Sequence, residues 1–144
     1  MQGSPLDSEV SIVPFSFKYL PLLIEMHNNR EYFDMASINM KMLPKIGYIA
    51  LLNKQPIAAG FLRRVEGGFG QLDTFVTNPY FGSKIRNDGI NKVWNALISE
   101  ARVLKLKGLL AFSKDTGLLD RAVKHHKFQI VEQSILAGSL LNII

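Results

Sequence analysis

The stretch with the clearest chemical potential is residues 85–91, Ile-Arg-Asn-Asp-Gly-Ile-Asn, which leads directly into a helical pattern. The first turn of a helix carries unpaired N–H groups and a partial positive charge, so it can bind an anion. Gly89 would let the backbone approach a pyrophosphate closely. Three nearby cations would add positive charge: Lys84, Arg86 and Lys92. We expect either a phosphate-binding loop or a helix capped by Asp88, whose carboxylate could bond the same N–H groups.

The bulk composition is that of one ordinary globular domain. The chain has 144 residues, of which 47% are hydrophobic and 20% charged. We expect a flexible N-terminal tail over residues 1–7 and a single domain over residues 8–144. The absence of cysteine excludes disulfides and thiolate chemistry.

The charge and hydropathy patterns bear on partners and location. The net charge of +5 suits an anionic partner such as a nucleotide or cofactor phosphate, or simply keeps the protein soluble. No apolar run reaches the roughly 18 residues of a membrane span, and the N-terminus lacks a secretory pattern, so we expect a cytoplasmic protein without membrane contact. No nucleic-acid motif accompanies the basic residues, and the three histidines lack carboxylates at ligand spacing. Neither a nucleic-acid partner nor a metal is therefore expected.

The first half of the chain reads as a strand, two helices and an antiparallel meander. Apolar alternation predicts strands, and apolar recurrence every three to four residues predicts helices. The second helix is the weaker of the two. The predicted elements are a strand at 9–15, helices at 18–29 and 30–43, and strands at 47–53, 56–65 and 69–77.

The second half contains the clearest helix. Its apolar positions recur from Ile90 to Leu104, and Gly108 follows as a predicted C-cap. Together with the flanking strands it predicts a βαβ unit at the centre of the domain. The βαβ unit consists of residues 71–77 of the third meander strand, a helix at 89–105 and a strand at 109–113. A helix at 116–126 and a final β segment at 128–144 are predicted after it.

This order of elements resembles the GNAT superfamily of acyl-CoA N-acyltransferases. The resemblance rests on three stretches: Leu-Asp-Thr-Phe-Val-Thr-Asn-Pro at 72–79, Arg-Asn-Asp-Gly-Ile-Asn at 86–91, and the helix-to-strand segment at 117–133. It implies an α/β (α+β) fold with a mixed, mostly antiparallel sheet of about six to seven strands. Helices would cover both faces of the sheet, and the central βαβ unit would carry the cofactor loop.

The same resemblance implies an activity and a co-substrate. The protein would transfer an acyl group from acetyl-CoA, or another acyl derivative of coenzyme A, to an amine of a small molecule or a protein. The pantetheine arm would bond the strand edge near Phe75 and Val76, as an added strand does. The pyrophosphate would meet the loop, with Lys84 adding charge and with the amides of Arg86, Asn87, Gly89, Ile90 and Asn91 facing it.

Two proton-transfer residues follow from the resemblance. Asp73 is the candidate base, because family members often use a carboxylate near this strand; the alternatives are a solvated strand residue or an ion pair with Arg63 or Arg64. Val123 stands where the family has a tyrosine acid. His125 or its neighbour His126 could donate the proton instead, or could simply complement the end of the helix.

The acceptor side and the alternative function remain open. Asn28, Asn29 and Tyr32 fall where the family builds its acceptor pocket, although a plain helix connection explains them equally well. The alternative is a catalytically degenerate GNAT-fold protein that acts through protein contacts, in an accessory or assembly role such as a viral one. A homodimer or an assembly partner would fit that reading. Its motivation is three departures from the family pattern: Asp88, Asn91 and Val123.

Overall fold

The computed structural model describes residues 10–28, 43–111 and 116–129. The chain divides into two compact units, with the boundary after residue 112, and each is described by itself. Within the described segments, no helix is both long and apolar enough to cross a membrane.

The first unit is built on a five-stranded sheet with the strands in sequence order. Strands one to four pair antiparallel, and the fifth pairs parallel to the fourth. The strands are β1 (Val10–Pro14), β2 (Ile46–Leu52), β3 (Gln55–Val65), β4 (Phe69–Thr77) and β5 (Gly108–Ala111). Helix α1 (Leu20–Asn28) follows β1, and helix α2 (Ser83–Val103) connects β4 to β5. The predicted meander and βαβ unit are therefore both present.

Tight turns explain why β2, β3 and β4 follow one another as neighbours. Leu52 pairs with Gln55, which leaves only Asn53 and Lys54 in the loop, at φ angles of 50° and 67°. Two central residues with positive φ make the turn whose twist matches that of antiparallel strands. The second turn uses Gly67 and Gly68, also at positive φ.

Helices pack against both faces of the sheet, as predicted. Neighbouring side chains of a strand point to opposite faces. Ala59 and Phe61 of β3 belong to the apolar cluster that includes Leu23 of α1. Gly60, between them, faces Val93 of α2, whose Cγ1 would lie 3.0 Å from a Cβ at that position. The two helices therefore cover opposite faces.

The start of α2 differs from the prediction. The helix begins at Ser83 with Gly82 as its N-cap, about two turns before the expected start at residue 89. The prediction was wrong because Asp88 and Gly89 are typical of a helix boundary, whereas here they lie inside the helix. Asp88 forms an ion pair with Lys92 at 3.3 Å, one turn further along, instead of capping the helix.

The end of α2 also differs from the prediction. Leu106 N–H donates to the carbonyl of Ala101, and Lys105 N–H donates to that of Arg102, both at 3.0 Å. Lys105 has a φ of 58°, so these bonds form the Schellman arrangement with lysine in the left-handed position. The predicted C-cap at Gly108 is wrong, since Gly108 is the first residue of β5.

The second unit contains helix α3 (Thr116–His126), with the predicted bounds. After it, Phe128 N–H donates to the carbonyl of Ala122 at 3.0 Å. The predicted helix at 30–43 lies outside the described residues apart from Leu43, as does the β segment at 128–144 apart from Phe128 and Gln129. The α+β class is confirmed, with five strands in the described chain where six to seven were expected. The single domain stays a prediction.

Candidate functional site

A β-bulge interrupts β4 where the predicted pantetheine contacts lie. Val76 pairs with Ala59, whereas Asp73 pairs with Phe61, so two residues of β4 lie opposite one residue of β3. Thr74, the first of the two, has a φ of 56°. This backbone conformation is unusual for a β-branched residue, and such outliers concentrate at functional sites.

The pairing of β4 with β5 stops immediately before the bulge. The parallel ladder runs from Phe69 and Gly108 to Leu72 and Ala111. Beyond Leu72, β4 has no β5 partner within the part of the chain that the structure describes. Among the described residues, the backbone at 73–77 is therefore a strand edge on the side facing β5, and this edge includes the predicted contacts Phe75 and Val76.

The N-terminus of α2 follows β4 after the short connection 78–82. The first intrahelical bond joins Arg86 N–H to the carbonyl of Gly82 at 3.0 Å. The preceding amides, those of Ser83, Lys84 and Ile85, therefore have no acceptor within the helix. Gly82 supplies no side-chain cap, and the first turn contains no acidic residue. This end of α2 is suited to an anion.

The earlier start of α2 moves the free, anion-binding amides to Ser83, Lys84 and Ile85. Asn87, Gly89, Ile90 and Asn91 lie inside α2, where backbone amides bond to carbonyls of the preceding turn. Their backbone amides are therefore not the free groups expected from the sequence. The amide of Arg86, also predicted to face the pyrophosphate, donates to the carbonyl of Gly82. Lys84 and Arg86 were predicted to precede the helix and instead lie in its first turn. A contact between a ligand and the side chains of Asn87 or Asn91 stays a prediction.

Arg86 brings a second polar group to this end of the helix. Its Nε is buried and has no hydrogen-bond acceptor within the described segments. A buried guanidinium nitrogen without an acceptor is costly. An anionic ligand at the helix N-terminus would supply an acceptor of matching charge.

Asn78 fixes the connection between β4 and α2. Its Nδ2 donates to the carbonyl of Pro56 at 2.9 Å, and its Oδ1 accepts from Tyr80 N–H at 3.1 Å. Its own N–H donates to the carbonyl of Ile57 at 2.7 Å. Asn78 is 6% exposed and ties the helix start to β3. Asn78 is not among the predicted site residues, and its signal in the sequence is an Asn-Pro pair at the end of an apolar strand.

Asp73 lies at the bulge with both carboxylate oxygens engaged. Arg63 Nε donates to Oδ2 at 3.1 Å, and Thr74 Oγ1 donates to Oδ1 at 2.9 Å. Because Asp73 pairs with Phe61, it lies on the sheet face that α1 covers. The ion pair with Arg63, one of the two alternatives considered, is present. The role of Asp73 as a base stays a prediction.

His125 lies in the last turn of α3, in the second unit. It is exposed, and its ring centroid is 6.5 Å from that of His126. Burial lowers the pKa of His126 below 6.5, and the positive charges of His125 and Arg121 lower it further. The proton-donor role of His125 stays a prediction.

The predicted acceptor residues fall mostly beyond the described chain. Asn28 is the last residue of α1. Asn29 and Tyr32 lie outside the described residues. The acceptor pocket therefore stays a prediction.

Comparison with known proteins identifies the fold. No protein-family model matches the sequence, and no curated protein matches it significantly. An acetyltransferase structure from Streptococcus agalactiae 2603 matches with a TM-score of 0.69 at 17% identity, over 90% of this chain and 88% of that one. A GNAT-family acetyltransferase from Staphylococcus aureus MU50 matches with a TM-score of 0.63 at 16% identity, over 91% of each chain.

A third structure similar to this chain holds a ligand. The aminoglycoside N-acetyltransferase AAC(6')-Iy in complex with CoA matches with a TM-score of 0.59 at 11% identity, over 91% of this chain and 95% of that one. Each of the three structures aligns with this chain over most of both chains. Their sequence identities of 17%, 16% and 11% are low, so the similarity shows the fold alone. The resemblance seen in the sequence is thus confirmed at this level: the chain has the fold of the GNAT-family acetyltransferases.

Proposed function

We propose that this protein is an N-acyltransferase that uses acetyl-CoA or another acyl-CoA and acylates an amine of a small molecule or a protein. One observation carries the proposal: within the described chain, β4 has a strand edge at 73–77, and the five-residue connection 78–82 leads from it to a helix N-terminus without a capping side chain. A pantetheine arm needs the first, and a pyrophosphate needs the second.

The groups at the helix start suit coenzyme A. The amides of Ser83, Lys84 and Ile85 are available to phosphate oxygens, and the Lys84 ammonium adds charge. The Arg86 Nε is a buried donor for which a phosphate would be an acceptor. On the strand side, the backbone near Phe75 and Val76 can bond the amide groups of the pantetheine arm as a neighbouring strand would.

The chemistry divides between the co-substrate and the chain. When bound, acetyl-CoA supplies an activated thioester, so that amide formation makes a C–N bond, breaks the C–S bond and releases the thiol of CoA. The acceptor ammonium must lose a proton, and we assign its removal to Asp73, at the bulge. Arg63 and Thr74 hold the carboxylate in place through both of its oxygens. His125 is the proposed donor to the departing thiolate.

The acceptor is proposed by class only. A structure with the same fold is named as an aminoglycoside N-acetyltransferase, which supports a small-molecule amine as one class. Asn28, Asn29 and Tyr32 are the proposed acceptor contacts, because α1 covers the sheet face on which Asp73 lies.

The degenerate, protein-binding alternative loses part of its motivation. Asp88 was expected to cap the helix and repel a pyrophosphate, but it pairs with Lys92 inside α2. Asn91 also lies well within the helix and away from its free amides. Only Val123, in place of the family tyrosine, still favours that alternative.

The test is a substitution at Gly82, the exposed N-cap residue of α2. Gly82 has a φ of −65°, and a Cβ there would meet nothing within 4 Å, so Gly82→Asp fits without strain. The new carboxylate caps the helix and repels a pyrophosphate, so we expect the melting temperature to hold while acetyl-CoA affinity falls about tenfold or more. Gly82→Asn is the uncharged control and should bind more tightly than Gly82→Asp. The proposal fails if millimolar acetyl-CoA neither raises the melting temperature of the wild-type protein nor gives heat in calorimetry.

A further inference from the structure

We propose that the stacked rings of Phe75 and Trp94 hold the β4 bulge in place, which makes both side chains positioning residues for acyl-CoA binding. Neither would touch the reacting atoms. The ligand part of this inference rests on the proposed function. The structural part, that the stack maintains the bulge, can be tested without any ligand.

The stack joins the bulge to the long helix. The ring centroids of Phe75 and Trp94 lie 4.9 Å apart with an interplanar angle of 11°. This is the favourable range for stacked aromatic rings. Trp94 is fully buried on α2, while Phe75 is the second residue of the bulge. The contact therefore fixes one strand residue against a rigid element.

Gly60 of β3 supplies the space that the stack needs. A Cβ on Gly60 would lie 2.5 Å from Cε1 of Phe75, a separation that real side chains do not show. The Phe75 ring therefore occupies the volume that any larger residue at position 60 would require. Three elements meet here: the helix through Trp94, β4 through Phe75, and β3 through the missing side chain of Gly60.

The bulge needs such a support. Thr74 has a φ of 56°, which is unfavourable for a β-branched residue and persists only where surrounding contacts enforce it. Its hydroxyl bond to Asp73 Oδ1, at 2.9 Å, is local and leaves the strand register undetermined. Removing the bulge would shift the register by one residue and exchange the faces of the side chains beyond it. The Phe75–Trp94 stack opposes that shift.

Ordinary core packing is the competing explanation, and the two differ in what a mutation changes. If the stack were only core, Trp94→Leu would lower stability and do nothing specific to residues 73–77. If it supports the bulge, the change would loosen that segment selectively. Leu97→Ala is the matched control, because Leu97 is also fully buried on α2 but is not part of the stack.

The experiment uses the full chain and two readouts. The first readout is the rate of amide hydrogen exchange at residues 73–77 without ligand. The variants are compared under conditions in which their free energies of unfolding are equal. The second readout is the dissociation constant for acetyl-CoA. We expect Trp94→Leu to speed exchange there about tenfold or more over Leu97→Ala and to weaken binding about three- to tenfold, the factor of one aromatic pair. Trp94→Phe, which keeps a ring, should restore both. Phe75→Leu serves if Trp94→Leu does not fold.

The outcomes separate this inference from the proposed function. Equal exchange at residues 73–77 in Trp94→Leu and Leu97→Ala would overturn the inference, even if the wild-type protein binds acetyl-CoA. If Trp94→Leu speeds exchange selectively at residues 73–77 but the wild-type protein binds no acetyl-CoA, the stack supports the bulge and the proposed function is rejected. Selective loosening together with weaker binding upholds both.

Discussion

Gly89 of α2 lies so close to Ile57 of β3 that a Cβ on the glycine would come within 2.5 Å of the isoleucine Cγ2. Glycine inside a helix costs roughly 1 kcal/mol relative to alanine. Its position here is explained by the close approach of α2 to the sheet. The residue that most suggested a phosphate loop thus serves, in this structure, the packing of helix on strand.

Gly89→Ala should therefore destabilise the protein in spite of its better helix propensity. We expect a loss of about 1–3 kcal/mol in the free energy of unfolding, measured in urea, because the added methyl overpacks the contact with Ile57. The matched control is Asn95→Ala on the exposed side of the same helix, which should be neutral or slightly stabilising. In combination with Ile57→Ala, the cost of Gly89→Ala should shrink. Additive losses in the double variant would contradict this account.

The contrast between Gly89 and Gly82 shows what the sequence could reveal. The strands β2, β3 and β4, their turns and the order of elements were predictable, because alternation and turn residues are local signals. The start of α2 was not, because the exclusion of a side chain at position 89 depends on Ile57, which is distant in the sequence. Gly82, the true cap, stands among other turn residues and carries no distinguishing local signal.

The β4 bulge could not be predicted from the sequence either, because it too depends on contacts between residues distant in the sequence. Regular alternation along β4 would put Leu72 and Val76 on one face, and nothing in the local sequence contradicts it. The structure places Leu72 opposite Leu62 and Val76 opposite Ala59, on different faces. The change of face between Leu72 and Val76 depends on contacts with residues that are distant in the sequence. Only part of the candidate site could therefore be inferred from the sequence of β4.

Lys105→Gly should stabilise the protein. Lys105 occupies the left-handed position after α2, at a φ of 58°, where glycine is preferred. We expect a gain of roughly 0.5–1 kcal/mol in the free energy of unfolding, seen as a higher urea midpoint. Lys107→Gly removes the same charge at a nearby position with ordinary φ, so it should not stabilise. An equal gain in both variants would indicate a charge effect instead.

Asn78→Ala should damage both stability and ligand affinity. The substitution leaves the carbonyl of Pro56 and the N–H of Tyr80 without their side-chain partners. We expect a loss of about 1–3 kcal/mol in the free energy of unfolding. Because Asn78 positions the start of α2, acetyl-CoA affinity should also fall. Asn78→Asp is the informative companion: it retains the acceptor for Tyr80 but loses the donor to Pro56. Unchanged stability in Asn78→Ala would mean that the connection is held by other contacts.

The protonation of His126 should make α3 sensitive to mild acid. Its pKa is lowered in the folded state, mainly by burial, so the unfolded chain takes up the proton first as the pH falls. Its contribution to stability is therefore intact above pH 6.5 and is lost as the pH falls below 6.5 towards the folded pKa. An NMR titration of the ring should give a midpoint below 6.5. His126→Gln should flatten the stability profile just below pH 6.5, and an unchanged slope there would contradict the assignment.

Asp73→Asn provides the test of the proposed base. The amide keeps the size of the side chain and an acceptor for Thr74, but it cannot take a proton from the acceptor ammonium. We expect kcat with an amine acceptor to fall about 10²-fold or more while the dissociation constant for acetyl-CoA stays unchanged. Arg63→Gln separates the two roles of the carboxylate. This substitution removes the ion pair but leaves Asp73 able to accept a proton. Because the 3.1 Å pair is partly exposed, its loss should lower the free energy of unfolding by at most about 1 kcal/mol. If both variants lower kcat equally, Asp73 acts through its ion pair and the base lies elsewhere.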